Sequence, residues 1–105
     1  MKVDLNNLYI ARLVMLEGYN ENYTKCYSSV VRDVVVYRSM LGKFYDLSTL
    51  KRYKLDIQAN PYTDSIGKIF IDADFIVPLT SVLTFDEDKM SRKKILQKVR
   101  DSNIK

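Results

Sequence analysis

The sequence has no histidine, no tryptophan and a single cysteine. Without histidine the chain lacks the commonest general base and the commonest ligand of transition metals. One cysteine excludes an internal disulfide and any site built from several cysteines, which is typical of proteins from a reducing compartment. We therefore expect a protein that acts by binding, with no catalytic residues, no metal and no other cofactor.

Long apolar runs and domain-boundary signals are also missing. No stretch approaches the roughly 18 uninterrupted apolar residues that a bilayer-spanning helix needs, and the first residues lack the apolar core of a signal peptide. The chain contains only three glycines and two prolines, and it shows no repeat or low-complexity tract. We expect a single domain over residues 1–105, located in the cytoplasm and without a membrane partner.

Most of the chain has the pattern of β-strands. Residues 8–16 are apolar on both alternate sets, which predicts a strand covered on both faces. Residues 25–40 are rich in β-branched and aromatic side chains and predict a long strand, bent near Arg32. Apolar and charged residues alternate in residues 50–57, where the strand signal is clearest. Further strands are expected over residues 67–71 and 75–85, separated by a turn at 72–74.

The number of predicted strands indicates the fold class. Five or six short strands in a chain of this length predict a mainly β, α+β protein that ends in an α-helix. We expect a small antiparallel SH3-like barrel or a bent sheet, with its β-rich body over about residues 5–85. The alternative is an open antiparallel sheet with the helix on one face.

The strongest helix signal lies near the end of the chain. Thr84 and Glu87 match a capping box, in which each side chain satisfies a backbone N–H of the other residue. An apolar stripe centred on Ile95 follows, although Met90 lies nearly opposite that stripe on a helical projection. The pattern predicts a basic helix over about residues 86–101.

Positive charge is concentrated on this helix. The chain carries a formal net charge of +4, but residues 89–105 contain seven cations and one acid, a net of +6 that leaves −2 elsewhere. Such a helix can dock on nucleic acid or on an acidic protein surface, and the contacts would be Lys93, Lys94 and Lys98. We favour the alternative that these cations only complement the helix dipole and keep the protein soluble, because basic residues are ordinary at helix C-termini.

A second basic candidate is the hairpin of residues 43–57. If its central Ser-Thr pair is a two-residue loop, Tyr45 pairs with Arg52 and Lys43 with Lys54, which places an aromatic ring among three cations on one face. Serine and threonine rarely adopt the positive φ of such turns. We therefore favour a longer loop and a different register.

Three tyrosines in predicted loops are candidate aromatic contacts for a ligand. They are Tyr19, Tyr23 and Tyr62. Tyrosine offers a large ring and a polar tip, which suits a binding cleft. Half-buried packing is the commoner role of tyrosine in small β-proteins, and we favour that interpretation.

These features favour a non-enzymatic binding module, with another protein or a second copy of the chain as its partner. The alternative is a nucleic-acid-binding protein that uses the basic helix and the hairpin.

The third hypothesis is a small histidine-free nuclease or RNA-cleaving toxin. Glu87 and Lys89 resemble the acid-x-Lys half of a metal-dependent nuclease site, with Asp72 and Asp74 upstream. That pattern needs its residues on a strand, whereas the sequence predicts that they open a helix.

Overall fold

The computed structural model describes residues 2–19, 21–22, 24–56 and 66–102. The structure is mainly β with a C-terminal α-helix, and its antiparallel sheet curls into a half-barrel. This confirms the predicted α+β class in its bent-sheet form. None of the helices in the described ranges combines the length and the apolar character needed to cross a membrane.

Seven strands and a helix are described, together with two short 3-10 turns. The strands are β1 (Lys2–Asp4), β2 (Leu8–Tyr19), β3 (Lys25–Arg38), β4 (Phe44–Asp46), β5 (Arg52–Tyr53), β6 (Ile69–Pro78) and β7 (Lys89–Ser91); the helix is α1 (Arg92–Asp101), and the 3-10 turns are Leu5–Asn7 and Leu79–Ser81. The main sheet has the order β5-β4-β3-β2-β6, and β1 pairs with β7 in a separate two-stranded ribbon.

Strand β2 lies inside the sheet between β3 and β6, and both of its faces are buried, as its sequence predicts. Leu8 packs with Ile95 of α1 on one face. Ala11 and Leu13 pack inside the curl of the sheet on the other face. The register between β2 and β3 shifts next to Arg32, where the sequence predicts a bend. The two apolar sets of β2 therefore join two cores, one beneath the helix and one inside the half-barrel.

The edges of the curled sheet meet at one point. Leu55 and Ile71 form an isolated parallel bridge, and the Ile71 backbone N–H donates to the Lys54 carbonyl at 2.9 Å. In the described residues this bridge is not continued into a ladder, so the sheet is a half-barrel rather than a closed barrel. The long strand predicted over residues 50–57 is wrong, because β5 has only two residues before the chain turns toward β6.

Strand β6 is continuous where the sequence predicts two strands and a turn. Asp72–Phe75 bulge outward opposite the single residue Arg12, so the predicted turn at 72–74 is an interruption of the ladder and not a chain reversal. The strand ends at Pro78, which has no N–H to donate. The predicted strand over 75–85 therefore stops at Pro78, and a 3-10 turn follows it.

Helix α1 starts at Arg92, later than the predicted start near residue 86. Its N-cap is Ser91, whose Oγ accepts from the Lys94 N–H at 3.3 Å. The predicted capping box lies outside the helix, because residues 89–91 pair with β1 instead. Met90 belongs to this strand and packs on the core beneath α1, which explains why it does not match the helical stripe.

Candidate functional site

A row of four paired side chains crosses the main sheet: Leu8, Tyr37, Tyr45 and Arg52. Leu8 and Tyr37 pack on the core that contains Ile95, so the row stands on the face that α1 covers. The rings of Tyr37 and Tyr45 stack with their centroids 5.4 Å apart and their planes at 21°. Arg52 is exposed on the edge strand. The row thus leads from the core beneath the helix to a cation at the sheet edge.

The β4–β5 hairpin has the register in which Tyr45 pairs with Arg52. The different register that we favoured from the sequence is therefore wrong. The loop is nevertheless longer than two residues, because residues 47–50 form a turn in which Leu50 adopts a φ of +64°. This turn gives the same pairing that a two-residue loop would give.

Lys43 and Lys54 lie two positions beyond the Tyr45–Arg52 pair along this hairpin, after the Phe44–Tyr53 pair. The ladder ends before them, since β4 starts at Phe44 and the Lys54 carbonyl accepts from β6. Lys43 is half-buried and Lys54 is exposed. The two lysines are therefore not paired in the ladder, where we expected their charges to repel each other. Tyr53 and Leu55 both pack on the core inside the half-barrel, so Lys54 between them belongs to the opposite face, that of Tyr45. Alternation continued one residue before β4 places Lys43 on the same face.

The carboxylate of Asp46 holds the hairpin turn. Asp46 is only 4% exposed, and its Oδ1 accepts from the backbone N–H groups of Ser48 at 2.8 Å and Thr49 at 3.1 Å. The Leu50 N–H donates to the Asp46 carbonyl at 2.8 Å. Asp46 is the sole acid in residues 34–55. The hairpin cations therefore have no exposed acidic neighbour on their own element.

Arg92 joins the helix to this hairpin. Its Nη1 donates to the carbonyl oxygens of Leu47 and Ser48, each at 3.2 Å. The two basic segments that the sequence presents separately meet at this contact. Arg92 was not predicted as a site residue, although its position at the end of the apolar helix stripe could have indicated that it lies on the packed side of the helix.

The cations of α1 divide between two sides of the helix. Leu96 and Val99 line a cleft of about 350 Å³ between the helix, β3 and the hairpin turn. At about 100° per residue, Lys93 and Arg100 lie within about 90° of this cleft side, whereas Lys94 lies about 170° from it. All three cations are exposed. Arg100 was not among the predicted contacts. Lys94 was predicted as a contact, but the helix directs it away from the cleft.

Lys98 is also directed away from the hairpin. Its Nζ donates to the Thr84 carbonyl and lies 4.7 Å from the centroid of the Phe85 ring. Lys98 is half-buried in this position. It attaches the helix to the segment that precedes β7, so the structure separates it from Lys93.

A half-buried ion pair neutralises the acid beside the cleft. Arg12 Nε donates to Asp33 Oδ1 at 3.0 Å, and its guanidinium lies 3.6 Å from the centroid of the Phe75 ring. The hydrogen bond to Asp33 raises the pKa of Arg12. Asp33 lines the cleft, but its charge is paired, whereas the neighbouring Arg32 is exposed.

The predicted aromatic contacts do not form a described cluster at this face. Tyr19 packs with Phe70 and Tyr27 at the far end of β2. Within the described residues the hydroxyls of Tyr19 and Tyr27 are buried without a hydrogen-bond partner, and burial raises the pKa of Tyr27 to about 12. Tyr19 therefore has a packing environment. Tyr23 and Tyr62 lie outside the described residues.

The residues of the nuclease hypothesis are placed differently from the prediction. Lys89 opens strand β7, and Glu87 lies in the loop before it, so neither residue starts a helix. The Asp88 carbonyl accepts from the Leu5 N–H at 3.0 Å. The described part of the chain brings no three His, Cys, Asp or Glu side chains together as a metal site.

Comparison with known proteins adds no functional assignment. No protein-family model matches the chain, and no curated protein or solved structure matches it at a significant level. The fold, the pairing of the hairpin and the Arg92 contact are the observations that bear on function. Interpretation of the site therefore depends on its own geometry and charge.

Proposed function

We propose that this protein binds nucleic acid through a basic face shared by the β4–β5 hairpin and the cleft side of α1. The observation that carries this proposal is the contact of Arg92 with Leu47 and Ser48, which joins the two cationic elements. Lysine and arginine groups on one surface attract phosphates and release the counterions bound to them. The basic face consists of Lys43, Arg52, Lys54, Arg92, Lys93 and Arg100.

The distribution of charge over the fold supports a polyanionic ligand. Residues 38–54 contain five cations and one acid, and residues 89–102 contain six cations and one acid, for net charges of +4 and +5. Since the whole chain carries +4, the remainder carries −5. The acid within the first segment is the buried Asp46, and Asp101 in the second accepts from Gln97 at 2.9 Å. The positive charge of the protein is therefore concentrated in these two segments, and their cations on the hairpin and on the cleft side of α1 attract a polyanion.

The side chains of the basic face suit contacts to phosphates rather than to base edges. They are spread over a sheet face and the flank of a short helix, with no described element that projects as a groove-reading helix. Contacts to phosphate position a protein on nucleic acid without reading its sequence. We therefore expect binding that depends weakly on base sequence and strongly on salt.

Charge reversal at Arg52 tests this proposal. An ion contact at 4 Å contributes about 1 kcal/mol in water, so Arg52→Glu, which exchanges attraction for repulsion, is expected to weaken binding by about thirtyfold at low salt. Adding Lys93→Glu on the helix is expected to weaken it by about a thousandfold in total. Affinity is measured by fluorescence anisotropy with a labelled single-stranded oligonucleotide of mixed sequence.

Lys68 provides the matched control, because it is exposed and lies outside the basic face. Lys68→Glu makes the same change in net charge and is expected to leave affinity within about twofold of the wild type. Equal weakening by Lys68→Glu and Arg52→Glu would show that net charge, not this face, determines binding. Absence of binding by the wild-type protein at low salt would reject the function itself.

A second candidate function, self-association, is favoured by the apolar turn between β3 and β4. Met40 is fully exposed, and Leu41 is 82% exposed. Two backbone hydrogen bonds fix the turn. The Ser39 N–H donates to the Lys43 carbonyl at 2.8 Å, and the Gly42 N–H donates to the Ser39 carbonyl at 2.9 Å. Gly42 adopts a φ of +77°, which favours glycine. Two apolar side chains held outward by a rigid turn favour contact with another protein surface.

Sedimentation equilibrium tests self-association directly. The wild-type mass is expected to rise with concentration, since each of the two side chains gains about 1.5–3 kcal/mol when buried. The double variant Met40→Ser with Leu41→Ser is expected to remain monomeric. Val82→Ser is the control, because Val82 is 49% exposed outside this turn. A wild-type mass that stays monomeric at every concentration rejects this candidate.

A further inference from the structure

The ring of Tyr45 offers the basic face a contact that is not electrostatic. Tyr37 stacks on one side of this ring, and the cross-strand neighbour on the other side is Arg52. Paired side chains of antiparallel strands have Cβ atoms only about 5 Å apart. In the described contacts the cations placed over rings are Arg12, Lys51 and Lys98, and Arg52 does not lie over Tyr45. The Arg52 guanidinium therefore does not stack on the second face of the Tyr45 ring, and Tyr45 is only half-buried.

A flat aromatic face among cations suits an unpaired base. Every base has a π-face that can stack on tyrosine, and the phosphates on either side of that base need cations nearby. Lys43 directly precedes β4 and lies two residues from Tyr45, about 7 Å if the chain stays extended. Arg52 lies directly opposite on β5. Cations are therefore available on two sides of one ring.

The same geometry distinguishes single strands from duplexes. In a duplex each base is stacked between its neighbours, so its face is not available to a tyrosine on a sheet surface. A single strand can present an unstacked base while its phosphates follow the cations. We infer that the basic face binds single-stranded nucleic acid, with one base stacked on Tyr45 and the adjoining phosphates on Lys43 and Arg52. This inference rests on the proposed function.

A purely structural role for Tyr45 makes a different prediction. Cross-strand aromatic pairs such as Tyr37–Tyr45 stabilise hairpins, so removal of the ring costs stability whether or not a base binds. If the role of Tyr45 is only structural, removal of its ring changes the affinity for single-stranded and double-stranded ligands alike. If a base stacks on Tyr45, removal of the ring lowers the affinity for single strands alone, and removal of the hydroxyl has no effect.

The experiment compares Tyr45→Leu and Tyr45→Phe with the wild type on single-stranded and duplex oligonucleotides of the same sequence. The wild type is expected to bind the single strand at least about tenfold more tightly than the duplex. Tyr45→Leu is expected to lose about tenfold in affinity for the single strand and to keep its duplex affinity, whereas Tyr45→Phe retains both. Thermal unfolding of each variant confirms that it is folded.

A spectroscopic measurement keeps the inference testable even if Tyr45→Leu fails to fold. A single strand that contains 2-aminopurine is expected to lose fluorescence when the wild type or Tyr45→Phe stacks on it. Binding without quenching at any 2-aminopurine position, or equal affinity of the wild type for both strand forms, would overturn the stacking inference. If Arg52→Glu still weakens binding in that case, the proposed function stands without it. If neither strand form binds the wild type, the proposed function fails.

Discussion

Replacement of Ile95 by alanine is expected to lower the free energy of unfolding by about 2–5 kcal/mol. Ile95 is the fully buried residue of the helix, and it belongs to the core cluster that contains Leu5, Leu8 and Leu79. The substitution leaves a cavity at the place where the helix meets the sheet, the 3-10 turns and the ribbon. A domain of this size has a total stability of about 5–15 kcal/mol, so the loss is a large fraction of it.

Urea unfolding followed by circular dichroism measures the effect of Ile95→Ala. Gln97→Ala is the control on the same helix, because Gln97 is exposed and its side chain contacts only Asp101 among the described hydrogen bonds. The control is expected to change stability by less than about 0.5 kcal/mol. A loss below about 1 kcal/mol for Ile95→Ala would show that α1 does not depend on this contact.

Replacement of Asp46 by alanine is expected to lower the free energy of unfolding by about 2–4 kcal/mol, less than the sum of its two hydrogen bonds because water reaches the exposed Ser48 and Thr49. Its buried carboxylate accepts from the N–H groups of Ser48 and Thr49, and hydrogen bonds to a charged group contribute about 1.5–3 kcal/mol each. Alanine leaves both donors without this acceptor in a turn that also contains the positive φ of Leu50. Asp46→Asn keeps one acceptor oxygen, so we expect it to be destabilised less than Asp46→Ala in the same urea experiment.

The Asp46→Ala variant also separates geometry from charge in ligand binding. Removal of an acid from a basic face strengthens attraction to a polyanion if charge alone matters. The turn held by Asp46 presents the carbonyls of Leu47 and Ser48 to Arg92, so we expect its loss to separate hairpin and helix and to weaken nucleic-acid binding. Tighter binding by folded Asp46→Ala would contradict the role of this turn in assembling the face.

The sheet could be predicted where a strand's own pattern determines its burial. Both alternate sets of β2 are apolar, and the structure buries both of them. The hairpin pairing of Tyr45 with Arg52 was recognisable, but our preference for another register was wrong. A four-residue turn gives the same register as a two-residue loop, and the capping of that turn by Asp46 is not evident from the residue types of the loop.

The start of the helix could not be predicted from local sequence because a distant strand competes for the same residues. Lys89–Ser91 pairs with Lys2–Asp4 at the opposite end of the chain, and this pairing overrides the capping-box pattern at Thr84 and Glu87. One local signal pointed to the correct boundary. Met90 did not match the helical stripe because it belongs to the strand and packs on the core from there.

The assembled site depends on contacts between residues that are far apart in sequence. Arg92 reaches Leu47 across 45 positions, and no pattern in either segment indicates that they touch. Tyr37 was missed because we did not extend the pairing of the hairpin to the preceding strand, although only a short turn separates β3 from β4. The individual cations were recognisable, but the fold alone determines that Arg52 and Lys93 belong to joined elements whereas Lys98 serves the opposite side of the helix.

The salt dependence of single-strand affinity tests the joined basic face most directly. The logarithm of the binding constant falls by about 0.7 per phosphate contact for each unit of log salt concentration. Arg52→Gln with Lys54→Gln removes two hairpin contacts, and Lys93→Gln with Arg100→Gln removes two helix contacts. Each pair is expected to reduce the steepness of the wild-type slope by about 1.4, and all four together by about 2.8. A wild-type slope near zero, or a slope that only one of the two pairs changes, would contradict a single face built from hairpin and helix.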